Sequence, residues 1–383
     1  MSRPSVTRAP ATSDDADTDA PSRPGPPVAA QHTGGRAVEP AHVEPAHVEP
    51  ADIEPAHVEP ADIDVDRAAA VLAGVARRTR VVRGTYLSGL TGVPVWLKCE
   101  HEQRTASFKV RGAFTRIALA DPEVRARGVV AASAGNHAQG VAFAAARFDA
   151  PATIFVPAEA NTIKIARTRR FGARVELVSG GVDDALLAAE AAAHDLGGLL
   201  VHPFDDPLVI AGQGTIGFEL VEQLPGLRTV LVGIGGGGLI AGIATALRQR
   251  RADVRVVGVQ AAGAPAFARS WRCGHRLQVP ARTVADGMAV QSPGALTLAL
   301  ASNLVDDVVT VDEEAFWEAM VLLARVDGQM VEPAGAAGVA ALLRHPGLAQ
   351  GPTAIVLSGG NIDHVTASRV RALAAEALHT PAA

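Results

Sequence analysis

Residues 229–250, TVLVGIGGGGLIAGIATALRQR, decide the fold of this chain. TVLVGI predicts a buried strand, the four consecutive glycines predict a turn, and LIAGIATALRQR predicts a helix. The backbone N–H groups of Gly235, Gly236, Gly237 and Gly238 can surround an anion, and the start of the helix adds a partial positive charge. A phosphate group is therefore the expected ligand of this loop.

The same loop matches the dinucleotide pattern G-x-G-x-x-G through Gly233, Gly235 and Gly238. The next predicted strand, VRVVGVQ, ends at Gln260 and not at an acidic residue that would bind a ribose. A nicotinamide-dependent oxidoreductase is therefore an alternative that the sequence disfavours.

Short apolar strands alternate with helix-like segments through most of the chain. The predicted strands are VPVWLKCE, GVVAAS, ATIFVP, RVELVS, TVLVGI, VRVVGVQ and AIVLSG. This alternation predicts an α/β fold with parallel sheets that helices cover on both faces. Ligands of such folds bind at the loops that leave the carboxyl ends of the strands. Three such loops are candidates for the site: residues 133–140, 233–242 and 358–363.

The chain has only three lysines, at positions 98, 109 and 164. Lys109 lies within LKCEHEQRTASFKVRGAF, residues 97–114, at the expected start of a helix. The positive potential at a helix start favours the neutral amine, which is the form that Schiff-base chemistry needs. The polar residues before it can cap this helix: Gln103, Thr105 and Ser107.

The other two loops carry short polar side chains. SAGNHAQG contains Ser133, Asn136 and His137, and together with its N–H groups it can hold a carboxylate. His137 could serve as a general base, but a binding or orienting role is favoured. Ser358 follows the strand AIVLSG, and its hydroxyl group can bond a neutral ring nitrogen.

Bulk composition excludes several classes of function. The formal net charge is −5 and no block of basic residues occurs, so we expect no nucleic-acid partner. Cys99 and Cys273 do not suggest a disulfide framework or a metal-binding pattern. The start of the chain lacks an apolar secretory segment, and the uncharged run at 229–247 is better explained by the strand, loop and helix than by a membrane span. We therefore expect a cytoplasmic protein.

The first 63 residues have the composition of an unfolded tail, with few large apolar side chains. EPAHV occupies residues 39–43, 44–48 and 54–58, and EPADI occupies 49–53 and 59–63. A proline every five residues prevents a continuous helix. We expect order to begin near Asp64, and Asp64 or Asp66 can cap the first helix.

Together these segments resemble one family, the threonine/serine dehydratases among the fold-type II pyridoxal-phosphate enzymes, which also include serine racemase. The resemblance covers about residues 70–375. It is carried by LKCEHEQRTASFKVRGA, SAGNHAQGVAFAA, PFDDPLVIAGQGTIGFEL, GIGGGGLIAGIA, TVADGMAV, DDVVTV, VEPAGAAG and SGGNID.

The fold that the resemblance implies is similar to the tryptophan synthase β subunit, with two parallel-sheet α/β domains and pyridoxal 5'-phosphate between them. We assign residues 64–125 and 203–378 to a large cofactor-binding domain and residues 126–202 to a small domain. A homodimer is also implied.

The resemblance implies a role for each matching residue. Lys109 carries the cofactor and removes the α-proton of the amino acid, whose β-hydroxyl group then leaves. Phe108 lines the cofactor ring, Asn136 bonds its phenolic oxygen and Ser358 meets its pyridine nitrogen. The remaining assignments are the phosphate loop Gly235, Gly236, Gly237, Gly238 and Leu239, and the substrate-carboxylate loop Ser133, Gly135, Asn136 and His137. The implied reaction converts L-threonine to 2-oxobutyrate and ammonia, or L-serine to pyruvate and ammonia.

Four departures from the family pattern modify this expectation. Ala134 replaces the serine that acts on the opposite face in the racemase branch, which favours a dehydratase. Gln260 and Ala266 replace the acidic ligands of a divalent cation that several relatives bind, so we predict that this metal site is absent. Ala106 stands where the family commonly has glycine, beside the substrate. The short segment after Asp363 leads us to expect no isoleucine-regulatory domain.

Other activities remain open. A sister enzyme of the same fold could act on another β-substituted amino acid, such as 3-hydroxyaspartate or a diamino acid, and an arginine near the pocket would favour an acidic side chain. A β-replacement synthase is disfavoured by the forms of SFKVRG and SAGNHAQG. A non-catalytic binding protein that works through its tail is the last alternative.

Overall fold

The computed structural model describes residues 59–160 and 162–379. All of these described residues fall within one compact unit. The repeats that end at residue 58 lie outside the described residues. The last repeat, residues 59–63, was predicted to belong to the unfolded tail. It is instead ordered, because Pro60–Asp62 forms a 3₁₀ turn and Ile63 is fully buried. As expected, Asp64 caps the first helix through its side chain, which accepts from the N–H of Arg67.

Six strands form the larger sheet. In spatial order they are β1 (Val81–Arg83), β2 (Val95–Lys98), β10 (Thr353–Val356), β7 (Thr229–Gly233), β8 (Arg255–Ala261) and β9 (Asp307–Val311). Every neighbouring pair is parallel except β1 and β2, which are antiparallel. β1 was not among the strands predicted from sequence, and a short connection between β1 and β2 reverses the chain at this edge.

Four parallel strands form the smaller sheet. Their order is β5 (Arg174–Val178), β4 (Ala152–Pro157), β3 (Val129–Ala132) and β6 (Leu199–Leu200). The whole smaller sheet lies within residues 126–202 of the sequence. The division of the chain into a large and a small domain remains a prediction.

Helices connect the strands. They are α1 (Val65–Leu72), α2 (Thr85–Thr91), α3 (Lys109–Ala118), α4 (Pro122–Arg127), α5 (Asn136–Ala146), α6 (Thr162–Arg170), α7 (Val182–Leu196), α8 (Pro207–Gln223), α9 (Gly238–Arg250), α10 (Ala266–Cys273), α11 (Ala295–Leu304), α12 (Glu313–Val326), α13 (Ala337–Arg344) and α14 (His364–His379). None of the described helices is long and apolar enough to cross a membrane.

Both faces of the larger sheet are buried. Along β7, Val230 and Val232 belong to the apolar core that includes Phe267, whereas Leu231 belongs to the core that includes Phe316. Alternate residues of β3 divide in the same way between two further cores. Continuous apolar strands are required by this double coverage, and the predicted α/β class is confirmed.

Close helix packing fixes the helix that follows the glycine loop. α9 lies against α8 where Gly242 meets Gly214, and a Cβ atom at Gly242 would come 2.7 Å from the backbone nitrogen of Gly214. Glycine is therefore required at this crossing for steric reasons. The contact places the start of α9, and with it the glycine loop, at a fixed position relative to α8.

Candidate active site

Lys109 is the first residue of α3. Its Nζ donates a hydrogen bond to the carbonyl oxygen of Pro203 at 2.6 Å and lies 5.4 Å from the centre of the Phe108 ring. Burial lowers the pKa of the Lys109 amine to about 8. The sequence predicted a shift in this direction from the helix start, whereas the structure attributes it to loss of water around the amine.

The predicted capping of α3 is wrong. The residue that precedes the helix is Phe108, and no side chain caps the helix N-terminus. Gln103 instead accepts a hydrogen bond from the backbone N–H of Arg77 at 2.8 Å, while the hydroxyl groups of Thr105 and Ser107 are buried without a partner. Ala106 has a φ of 55°, so the chain turns through a left-handed residue before the helix.

The loop that contains Ser358 is joined directly to the lysine segment. The N–H of Phe108 donates to the carbonyl oxygen of Ser358 at 3.1 Å, and Ser107 forms an isolated antiparallel bridge with Gly359. Ser358 is 6% exposed, and its Oγ lies 3.4 Å from the carbonyl oxygen of Ala334. These bonds bring three of the predicted residues together: Phe108, Lys109 and Ser358.

The loop before α5 ends at Asn136, the first residue of that helix. The Oγ of Ser133 accepts a hydrogen bond from the N–H of Gly135 at 3.0 Å. The side chain of His137 is buried and its Nε2 lies 2.8 Å from the carbonyl oxygen of Val201. Burial, with the nearby charge of Lys109, lowers the pKa of His137 to about 3. This imidazole is neutral and held by the backbone, which fits an orienting role better than general-base catalysis.

The glycine loop lies against Phe204, the residue after Pro203. A Cβ atom at Gly236 would overlap the Phe204 ring, and one at Gly238 would come 2.9 Å from the Phe204 Cβ. Gly237 has a φ of 102°, which disfavours any residue with a side chain. These glycines leave a backbone cradle at the start of α9 that suits a phosphate group, next to the lysine contact.

A second layer of residues supports this loop. Thr297 donates a hydrogen bond through its Oγ1 to the carbonyl oxygen of Gly236 at 2.7 Å. The carboxylate of Asp205 accepts from the backbone N–H of Ala295 at 2.9 Å and from that of Thr297 at 3.0 Å. Sequence reasoning missed both side chains, although Asp205 lies in the segment PFDDPLVIAGQGTIGFEL.

Sequence reasoning also missed Glu332 and Asn361. The Nδ2 of Asn136 donates to Glu332 Oε1 at 2.5 Å, and the Nδ2 of Asn361 donates to Asn136 Oδ1 at 2.7 Å. Burial raises the pKa of Glu332 to about 7. The available signal was an acidic residue within the otherwise uncharged stretch MVEPAGAAG.

A buried ionic cluster surrounds Arg111, which follows Lys109 by two residues in α3. Arg111 donates to Glu100 Oε2 at 2.9 Å and to Glu219 Oε1 at 2.7 Å. Lys98 donates to Glu219 Oε2 at 2.5 Å. Lys98, Glu100 and Arg111 are each no more than 1% exposed. The cluster links α3 to β2 and α8, and it accounts for one of the two lysines outside the motif. The other, Lys164, is paired with Asp286.

Gln260 stands at one of the two positions from which the absence of a divalent-cation site is predicted. Gln260 is fully buried, and its Oε1 accepts a hydrogen bond from the N–H of Ala268 at 2.8 Å. Elsewhere among the described residues, Cys99, His101 and Glu102 lie close enough to hold an ion. Arg80 donates twice to Glu102 and His101 Nε2 bonds Gln329, whereas His101 Nδ1 is buried without a hydrogen-bond partner.

The cofactor that the sequence implies fits this arrangement. The glycine cradle offers N–H groups where side chains would collide, the lysine amine is partly neutral at pH 7, and Ser107 leaves a buried hydroxyl group without a partner. The structure therefore brings the glycine loop, the start of α3 at Lys109 and the loops of Ser358 and Asn136 close to one another.

Comparison with known proteins points the same way. Residues 72–359 match the family described as pyridoxal-phosphate dependent enzyme. The chain is 48% identical to the L-threonine ammonia-lyase of Geobacter sulfurreducens over 296 residues, which are 77% of this chain and 74% of that protein. It is 46% identical to the L-threonine ammonia-lyase of Thermotoga maritima over 301 residues, 78% of this chain and 75% of that protein.

Solved structures agree. A threonine deaminase from tomato, Solanum lycopersicum, in its processed form, superposes with a TM-score of 0.77 at 34% identity and covers 82% of this chain and 87% of its own. A serine racemase from maize superposes with a TM-score of 0.77 at 33% identity and covers 83% of this chain and 99% of its own.

Proposed function

The chain belongs to the family of pyridoxal-phosphate dependent enzymes, and from this premise we propose that it is an L-threonine ammonia-lyase. It forms 2-oxobutyrate and ammonia from L-threonine, and pyruvate and ammonia from L-serine. The observation that carries the proposal is the position of Lys109: its buried amine bonds Pro203, the residue before the Phe204 that packs on the glycine loop, and the preceding Phe108 bonds Ser358. Identity of 46–48% to two L-threonine ammonia-lyases supports the substrate.

The residues of the chain divide the work. When bound, pyridoxal phosphate supplies an electron-withdrawing ring that makes the α-proton of the amino acid acidic. The Nζ of Lys109 would hold the cofactor until the amino group of the substrate takes its place, and the freed amine would then accept this proton. The N–H groups of Gly235–Gly238 and Leu239 would hold the phosphate, Phe108 would contact the ring and Asn136 would donate to its phenolic oxygen.

Two further groups set the chemistry around the ring and the substrate. The hydroxyl group of Ser358 would bond the ring nitrogen without protonating it, which would favour prompt loss of the β-hydroxyl group. The substrate carboxylate binds the start of α5, at Ser133, Gly135, Asn136 and His137, where the backbone N–H groups attract an anion. Because His137 is neutral and held by Val201, its contribution is through the backbone.

The first experiment compares the visible absorbance of the wild type with that of Lys109→Ala, before and after L-threonine or L-serine is added. We expect a yellow wild type that forms 2-oxobutyrate or pyruvate, and a colourless, inactive Lys109→Ala protein. Lys164→Arg is the matched control, since it keeps a cation opposite Asp286, and we expect it to retain both colour and activity. A wild type that stays colourless with added pyridoxal phosphate would refute the proposal.

3-Hydroxyaspartate is assayed beside the two substrates. Arg167 donates to Asn361 Oδ1 at 3.3 Å, so one guanidinium group lies two hydrogen bonds from Asn136. If this arginine selects an acidic side chain, 3-hydroxyaspartate is consumed faster than L-threonine, and Arg167→Ala reverses the preference.

We propose, in addition, that the enzyme is a cytoplasmic homodimer. Analytical ultracentrifugation of the purified protein tests the oligomeric state.

A further inference from the structure

Glu332 is a buried carboxyl group at the edge of the proposed cofactor site, and none of the roles given above uses it. It precedes a 3₁₀ turn, Pro333–Ala336, and is 3% exposed. Its backbone N–H donates to the carbonyl oxygen of Gly359 at 3.1 Å. A Cβ atom at Gly359 would overlap its carboxylate. The carboxyl group therefore lies directly against the segment that follows Ser358.

The amide of Asn136 is held at both ends. Its Oδ1 accepts from Asn361 Nδ2 at 2.7 Å, and its Nδ2 donates to Glu332 Oε1 at 2.5 Å. A carboxylate oxygen only accepts, so Glu332 requires the nitrogen of the amide on its side. An amide nitrogen carries two hydrogens, and Glu332 takes one of them. One N–H of Asn136 is left for another acceptor.

Asn361 is fixed in turn. Its Nδ2 also donates to the carbonyl oxygen of Thr105 at 2.8 Å, so both of its N–H groups are used. Thr105 lies four residues before Lys109, in the segment that leads into α3. The chain of bonds therefore connects Glu332, through two amides, to the segment that carries the lysine.

The charges around Glu332 leave it near the midpoint of its titration at neutral pH. Burial raises its pKa to about 7, and the carboxylate of Asp286 adds to the rise. The hydrogen bond from Asn136 and the positive charges of Lys164 and Arg167 act in the opposite direction. Asp286, Lys164 and Arg167 all lie on other segments of the chain.

We propose that Glu332 is a positioning residue that fixes the amide of Asn136, so that its remaining N–H donates to the phenolic oxygen of bound pyridoxal phosphate. The inference rests on the proposed function, which assigns Asn136 to that oxygen. It adds a residue that touches neither cofactor nor substrate and acts on the cofactor only through the amide. The ionisation of Glu332 then alters the strength of the hydrogen bond that Asn136 donates to the cofactor.

Three variants test the proposal. Glu332→Gln keeps an oxygen that can accept from Asn136 but cannot ionise, whereas Glu332→Ala removes the acceptor. Glu332→Asp, which is one methylene shorter and cannot reach Asn136, replaces Glu332→Ala if that protein does not fold. Glu222→Gln is the matched control, because Glu222 is 61% exposed and forms only a surface pair with Arg78 at 3.0 Å. Circular dichroism verifies that each variant is folded.

The measurements are the affinity of the cofactor-free proteins for pyridoxal phosphate and the visible spectrum of the loaded proteins from pH 6 to pH 8. We expect Glu332→Ala to bind the cofactor about tenfold more weakly, as for loss of a hydrogen bond that involves a charged group. We expect Glu332→Gln to stay within about threefold of the wild type. The wild-type spectrum changes between pH 6 and pH 8, while that of Glu332→Gln does not.

Two outcomes overturn the proposal: a folded Glu332→Ala with wild-type affinity and spectrum, or a Glu332→Gln that loses as much affinity as Glu332→Ala. A purely structural role for Glu332 would predict lower stability in Glu332→Ala with an unchanged spectrum. Failure of the proposed function is seen separately, in the wild type. A wild type that binds the cofactor but does not act on L-threonine refutes the substrate and leaves the test of Glu332 intact.

Discussion

Gly140 lies against the backbone of Lys109: a Cβ atom at Gly140 would come 3.1 Å from the Lys109 carbonyl carbon. This contact sets the distance between α5, which begins at Asn136, and α3, which begins at the lysine. Since the closest atoms belong to the backbone, they cannot rotate away from a larger side chain. The two segments that the resemblance assigns to cofactor and substrate can therefore approach this closely only because residue 140 has no side chain.

Replacing Gly140 with valine should separate the two helices. We expect Gly140→Val to lower the free energy of unfolding by about 1–3 kcal/mol, as for an overpacked core, and to weaken cofactor binding. Gly89→Val is the control, because Gly89 is also inside a helix, α2, but a Cβ atom there would have no neighbour within 4 Å. Urea unfolding and cofactor titration measure both effects, and equal behaviour of the two variants would contradict this account.

The lowered pKa of Lys109 predicts a pH dependence of cofactor capture. An amine with a pKa of about 8 is roughly 10% neutral at pH 7 and half neutral at pH 8. Only the neutral amine attacks the aldehyde, so the capture rate should rise about fivefold between pH 7 and pH 8 and level off above about pH 9.

Stopped-flow absorbance after mixing cofactor-free enzyme with pyridoxal phosphate measures this rate. The control is the rate at which N-acetyl-lysine reacts with pyridoxal phosphate in the same buffers. This rate shows how ionisation of the cofactor itself affects its reaction with an ordinary amine. A rate that keeps rising about tenfold per pH unit up to pH 10, as for an unshifted lysine, would show that burial does not favour the neutral amine of Lys109.

The glycine loop offers a steric prediction. Gly237 has a φ of 102°, and a Cβ atom there would lie 2.8 Å from Thr297. We expect Gly237→Ala to lower cofactor affinity at least about tenfold, because the strain of about 1–3 kcal/mol distorts the phosphate cradle. Gly226→Ala, at an open position with no atom within 4 Å, should leave the affinity unchanged. Equilibrium dialysis compares them, and a folded Gly237→Ala with normal affinity would argue against a phosphate site here.

The buried ionic cluster predicts a large loss of stability. Arg111→Leu leaves Glu100 buried without its principal cation, and we expect the free energy of unfolding to fall by about 3–5 kcal/mol. Arg250→Leu breaks an ion pair with Asp66 in which the side chains are 49% and 70% exposed, so the loss should stay below about 1 kcal/mol. Urea unfolding of both proteins decides the point. Similar losses in the two variants would mean that the buried cluster contributes no more to the free energy of unfolding than an exposed ion pair does.

The central strands of both sheets were predictable because buried parallel strands are apolar along their whole length. All seven strands proposed from sequence are present, at β2, β3, β4, β5, β7, β8 and β10. The strands that were missed are β1, β6 and β9. β1 and β6 have three and two residues, which is too few to show a pattern. β1 also lies at a sheet edge, where burial constrains its composition less.

Local detail of the site was less predictable. Gln103, Thr105 and Ser107 are residue types that can cap a helix, but the chain passes through a left-handed φ at Ala106 and no side chain caps α3. This conformation also gives a physical reason for the glycine that the family commonly has at that position. Glu332 could not be found from composition, because its importance comes from contacts with Asn136 and Gly359 that are far away in the sequence.

The scarcity of lysine has a consequence for chemical specificity. Pyridoxal phosphate is an aldehyde and reacts with any accessible amine. Lys98 is buried in an ion pair, and Lys164 is paired with Asp286 and has a side chain that is 13% exposed. The amino-acid side chains of this protein therefore offer a free aldehyde a single productive target. Reductive trapping with excess cofactor should label Lys109 alone among the lysines, and the extent of labelling then counts active sites directly.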